Sequence, residues 1–165
     1  MKRWILCFVP AVCLAACAST PPTTASAPAP APAAVASVPA PPAPAFIERS
    51  LRDGRLIVGG QPQAADFDAL RAAGVTRVFN LRTDEEMAQV GYDELALAAG
   101  AGMHYTQAPL AGVAGFTPAV LEAFAAEMAA ADGGMLLHCA SGSRAGNLYA
   151  AWLVRYRGKT PDEAM

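Results

Sequence analysis

From residue 46 onward, apolar positions follow two rhythms that take turns along the chain. Short runs that are apolar nearly throughout predict buried strands; longer stretches with apolar residues three and four apart predict helices. "RLIVGG" (55–60) predicts a short strand ending in glycines. "AADFDALRAAG" (64–74) puts Phe67, Leu70 and Ala73 on one helical face, with Gly74 as a left-handed stop. "VTRVFNL" (75–81) is β-branched and apolar, as buried strands are. "GYDELALAAGAG" (91–102) predicts a weaker helix, and "MHYTQAPL" (103–110) a strand. "TPAVLEAFAAEMAAADGG" (117–134) opens with Thr117 as N-cap and Pro118 in the first helical position, with Val120, Leu121, Phe124 and Met128 as one stripe. "MLLHC" (135–139) predicts a short buried strand. "RAGNLYAAWLVRYRG" (144–158) predicts a helix burying Leu148, Ala151, Trp152 and Tyr156. Alternating strands and helices of these lengths predict an α/β domain: a small, mainly parallel sheet flanked by helices. Residues 160–163, Thr-Pro-Asp-Glu, form a capping box two residues before the sequence stops, so a further helix is expected beyond it.

The first 45 residues follow neither rhythm. Two basic residues precede an apolar run too short to span a bilayer, where about 20 residues are needed, so 1–16 read as a secretory signal peptide. Leu14-Ala15-Ala16-Cys17 resembles the bacterial lipobox, which implies cleavage before Cys17 and a lipid on its sulfur. Residues 18–45 contain nine prolines and no charge, and lack the large apolar side chains needed to offset the entropy of ordering. Residues 17–45 are therefore expected to be a lipid-anchored, extended tether, reaching roughly 90 Å at ~3.1 Å per residue. The expected location is outside the cytoplasm: the domain of residues 46–165 in the periplasm, held to a bacterial membrane, the outer one by preference.

Composition adds exclusions. The formal charge is -2, and no basic run is present, so nucleic-acid binding has no electrostatic footprint. Four cysteines suggest two disulfides, but Cys7 and Cys13 leave with the signal and Cys17 is acylated. Cys139 remains as a lone thiol, unable to form an internal disulfide.

Cys139 ends a predicted parallel strand, where open α/β sheets bind ligands. Ala140, Ser141, Gly142 and Ser143 are small, so their backbone N–H groups can turn inward. The helix opening near Arg144 aims its positive end at the same place. An anion cradle with sulfur at its base follows. A thiol there is expected to titrate low and to be a nucleophile near neutral pH. Arg144 can add a bidentate clamp for a tetrahedral oxyanion, which lysine cannot do with the same geometry. Strand alternation places the His138 ring behind the loop as its support, not as a base. His104 reads either as a Cys–His partner or as a plain strand residue.

"HCASGSRAG" looks like the cysteine-phosphatase loop. With "GGQPQAADFDALRAAGVTRVFNLR" upstream, residues 56–152 resemble the bacterial beta-lactamase-hydrolase-like phosphatase-like family, relatives of the dual-specificity phosphatases. That resemblance implies a cysteine-phosphatase-like fold, a phosphocysteine on Cys139, oxyanion binding by Arg144 and the amides of residues 140–144, and no cofactor or metal. The partner it implies is a phosphorylated or other oxyanion substrate; no oligomeric state is readable. Two departures stand out. Ala145 occupies the position where protein phosphatases carry Ser or Thr. The loop "APLAGVAGFTP" (108–118), where they place a general acid, has no acid. Asp84, Glu85 and Glu86 are the nearest candidates, Asp84 first, against a reading of the three as a solvated acidic turn. Arg82 could face substrate or make a structural pair.

Two other functions fit the same loop. Rhodanese-like sulfurtransferases also place a cysteine at a strand end, and a six-residue loop matches 139–144 in length. A non-catalytic anion or phosphoprotein reader fits the missing acid.

Overall fold

The structure is a computed structural model that describes residues 45–165. The signal peptide, Cys17 and nearly all of the tether lie outside the described residues. Among the described residues no helix is long and apolar enough to cross a membrane.

A five-stranded sheet has the order β1-β2-β5-β3-β4. β1 (Leu51–Asp53) pairs antiparallel with β2 (Leu56–Gly59); β2, β5 (Gly134–His138), β3 (Val75–Asn80) and β4 (His104–Gln107) run parallel. β5 is central and buried at all five positions, as expected of a strand covered on both faces.

The faces separate by alternation. Met135, Leu137 and Cys139 join a core with Phe79, Phe124, Leu148 and Trp152, on the side of α4 (Pro118–Ala130) and α5 (Ser143–Arg157). Leu136 belongs to the other core, with Phe67, Leu70 and Ala98 from α1 (Asp66–Ala72) and α3 (Glu94–Gly100). Phe124 sits edge-on to both Phe79 (5.6 Å) and Trp152 (6.0 Å), a favourable aromatic geometry.

The expected caps form. Thr117 accepts from the Val120 amide with Pro118 first in α4, and Gly74 takes φ 82° after α1. The capping box at Thr160 opens α6 (Pro161–Ala164). Three expectations are corrected and one is met. Ala73 caps α1 and is exposed, because α1 ends a residue earlier and its buried face is only Phe67 and Leu70. The α4 stripe faces one core as expected, with Phe124 fully buried and Val120, Leu121 and Met128 half-buried against the same cluster. On α5, Tyr156 is 43% exposed; Ala145 and Tyr149 are buried instead, because the buried face starts earlier in the helix. The acidic segment after β3 is one helical turn, α2 (Asp84–Met87), capped by Thr83 in a capping box.

Candidate active site

Cys139 follows β5 directly, and Gly142 precedes α5 in a left-handed conformation (φ 97°) that disfavours any residue with a Cβ. That turn brings the Gly142 N–H to 3.2 Å from the Cys139 sulfur. Burial pushes the thiol up, but the amides of Ala145, Gly142, Ser141 and Arg144 pull it down, and the amides win: Cys139 lies below its ordinary value. Cys139 is only 1% exposed, so its sulfur is the floor of the cradle, with apolar core on its other side. Ala145 stands where a hydroxyl was expected, and contributes its backbone N–H.

The glycine-rich segment upstream touches this loop. The Cys139 amide donates to Gly59 O (3.3 Å), and the Gln61 amide to Ala140 O (3.0 Å). A Cβ on Gly60 would sit 2.9 Å from Ala140 O, so only glycine lets the two backbones pass. The two motifs, about 80 residues apart in sequence, are one object in space.

Arg144 is clamped by a partner from α2. Its Nη2 donates to Glu86 Oε1 at 2.6 Å and its Nη1 to Glu86 Oε2 at 2.9 Å. Nη1 also donates to Leu110 O at 2.8 Å, at the start of the acid-free loop. A guanidinium has five N–H donors, so Nε and part of Nη2 remain for a ligand. Hydrogen bonds from Arg144 hold Glu86 far below its ordinary value of 4.5, to about 2. Glu86 in turn raises Arg144, and Cys139 adds to that attraction.

Other candidates fall in different places. Asp84 is exposed; its Oδ1 accepts from Gln107 Nε2 at 3.0 Å, and no hydrogen bond or ion pair joins it to Cys139 or Arg144. Glu85 is exposed and held low by the amide and hydroxyl hydrogen bonds of the helix cap. Arg82 is structural: Nη1 donates to Gln61 Oε1 (2.7 Å), Nη2 to Glu86 O (2.9 Å). His104 lies on β4, 3.6 Å from Glu127, and forms no pair with Cys139. Ser141 and Ser143 bring their hydroxyls within 3.3 Å of each other on the exposed side of the loop.

His138 is fully buried behind the loop, on the α3 side. Its Nε2 is 2.8 Å from Glu94 Oε1, a close polar contact without aligned hydrogen-bond geometry. Glu94, also buried, accepts from Gln61 Nε2 at 2.9 Å through its other oxygen. Sequence reasoning missed Glu86 as the clamp, and missed Glu94 and Gln61 altogether. "GGQP" and "NLR" carried the only signal, since Gln61 and Arg82 meet here.

A groove of about 720 Å³ between α4, α5 and the β1–β2 turn does not include Cys139. The sulfur's surroundings, not cavity size, mark the site.

A mostly parallel sheet with a cysteine cradled at its β5–α5 turn is the fold of a phosphatase-like α/β domain. The chain belongs to the family "Beta-lactamase hydrolase-like protein, phosphatase-like domain", which it matches over residues 50–154. A beta-lactamase hydrolase-like protein of Agrobacterium fabrum (strain C58) is 43% identical over 97 residues, 58% of this chain. One from Xylella fastidiosa (strain Temecula1) is 41% identical over 98 residues. The chain spans 22% of the length of these relatives. Among solved structures, a candidate phosphatase (DUF442) from Shewanella putrefaciens CN-32 has 28% identity and TM-score 0.57, covering 69% of this chain and 73% of that one. A kinase associated phosphatase, carrying serine at its catalytic-site cysteine, shares the fold with TM-score 0.58 at 20% identity, covering 66% of this chain and 70% of that one.

Proposed function

We propose that the domain is a cysteine-dependent phosphoric-ester hydrolase. The Cys139 thiolate attacks phosphorus, an S–P bond forms, and the ester P–O bond breaks. Arg144 and the amides of residues 140–144 hold the equatorial oxygens. Water then attacks the phosphocysteine and returns the thiolate. The observation that carries this reading is the set of amides converging on Cys139, in the same loop as an arginine held in place by Glu86.

Proton supply limits the substrates. Glu86, at about 2, is ionised at neutral pH and has no proton to give. The loop between Leu110 and Thr117 offers no acid, and we assign Asp84 no part in proton transfer. The leaving group must depart as an anion, which favours aryl or acyl phosphates.

A second reading is sulfur transfer, favoured by the loop length: four residues separate Cys139 from Arg144. Sulfite leaves thiosulfate without needing a proton. The sulfane sulfur would bond to Cys139 as the S–S bond of thiosulfate breaks, and a thiol or cyanide acceptor would take it up. A paired assay separates the two. We expect the purified protein to hydrolyse an aryl phosphate slowly and Cys139→Ser to abolish this. Sulfur moved from thiosulfate to cyanide, with aryl phosphate untouched, establishes the second reading. Binding of phosphate with neither turnover leaves an oxyanion-binding module.

We also propose, from the sequence, export and lipidation at Cys17, with residues 18–45 as the tether. Cys17→Ser should release the protein from membranes; unchanged membrane association rejects the anchor.

A further inference from the structure

Gln61 ends the segment that crosses under the cysteine loop, and its side chain is saturated with contacts. Oε1 accepts from Arg82 Nη1 at 2.7 Å. Nε2 donates to Glu94 Oε2 at 2.9 Å and to the Tyr92 hydroxyl at 2.8 Å, and that hydroxyl donates onward to Pro62 O. A guanidinium only donates and a carboxylate only accepts, so the amide can be oriented one way only.

Each end of this bridge stops beside a reactive group. On one side, Arg82 grips the backbone carbonyl of Glu86 (2.9 Å), and the Glu86 side chain clamps Arg144. The α2 turn buries no residue, so apolar packing does not place Glu86. Its position rests on polar contacts: the Thr83 cap, Arg82, Gln107 to Asp84, and Asn80 Nδ2 to Met87 Sδ at 3.1 Å. On the other side, Glu94 lies 2.8 Å from His138, the residue before Cys139. Buried polar groups of this kind are costly to leave unpaired and fix a single arrangement when paired.

We propose that Gln61 is a positioning residue that couples the two halves of the site: its carbonyl, through Arg82, holds the turn that clamps Arg144, and its amide nitrogen holds the Glu94–His138 pair behind Cys139. This rests on the reading of Cys139 and Arg144 as the reactive loop. It gives the "GQP" and "NLR" segments one shared role in supporting the cysteine loop.

Three forms of the full chain test it. Gln61→Met matches the shape but neither donates nor accepts. Gln61→Glu keeps the acceptor for Arg82 and loses the donor for Glu94. The readouts are the pH dependence of Cys139 alkylation by iodoacetamide and its protection by inorganic phosphate, neither of which needs turnover. In Gln61→Met the thiol midpoint should rise by about one pH unit, a tenfold loss of thiolate, and phosphate protection should weaken on the order of tenfold. Gln61→Glu should share the raised midpoint but keep phosphate protection within about threefold of the wild type, because its charge-assisted contact to Arg82 survives. A folded Gln61→Met with wild-type midpoint and protection overturns the proposal. So does Gln61→Glu losing protection as fully as Gln61→Met, or failing to fold, since Gln61 would then serve the fold alone. A wild-type thiol that titrates as free cysteine and ignores phosphate overturns the reading of the loop itself, which these variants leave separate.

Discussion

Two segments that meet at Arg144 are built differently. The α2 turn carries Asp84, Glu85 and Glu86, is capped at Thr83, and is tied down by Arg82, Gln107 and Asn80. The loop that leaves Leu110 touches Arg144 only through a backbone carbonyl. It then runs Ala-Gly-Val-Ala-Gly-Phe, with Val113 88% exposed in a short 3-10 turn (Val113–Gly115). Its own hydrogen bonds are local backbone ones, such as Phe116 N to Val113 O at 3.1 Å. Charge near the site is thus spent on fixing a cation. None of it stands on the segment where a proton donor was sought. On the proposed reading, a site so divided holds an oxyanion and supplies no proton to the departing group.

The widest break in this contrast lies in the leaving group. Aryl phosphates should outpace alkyl phosphates of similar size by roughly 10²–10⁴ in kcat/KM, the range general acids usually supply. Comparable rates across the series would mean that an acid acts after all.

Next comes the clamp. Glu86→Gln keeps the size and drops the charge, so Arg144 loses its ionic partner. Oxyanion affinity should fall about tenfold and stability by about 1–3 kcal/mol, read by phosphate protection and urea unfolding. The pH sign follows from the lowered carboxyl. Its stabilising contribution is present above the unfolded value near 4.5 and is lost as pH falls toward about 2. The wild type and Glu86→Gln should therefore converge in stability across that window. A constant gap between them down to pH 2 would contradict the ion pair.

The smallest effect belongs to Asp84→Asn, which should change the rate by less than about twofold, because Gln107 can still contact the amide oxygen. A loss of a hundredfold would restore Asp84 as the acid.

The sheet was legible because its strands carry their own signal. Val75–Asn80 and Gly134–His138 are apolar enough to be read alone, and alternation put Cys139 and His138 on opposite faces. The cysteine cradle was legible because all its parts are local, from Cys139 to Ala145. The supports were not. Glu86 and Arg144 are 58 residues apart, and Gln61 and Glu94 are 33 apart, so no spacing rule pairs them. Glu94 sits in "YDELAL", where a helix-start acid normally faces water; only the fold turns it onto His138. β1 escaped notice for a related reason: Leu51, Arg52 and Asp53 are all exposed, and only the pairing with β2 makes them a strand.

The sulfur's ionisation is most directly read from the rate of Cys139 alkylation against pH, with and without phosphate. Inward-facing amides predict a midpoint clearly below the ~8.5 of a free thiol, and slower alkylation when phosphate fills the cradle. A midpoint at or above that of free cysteine, with phosphate making no difference, would contradict the account.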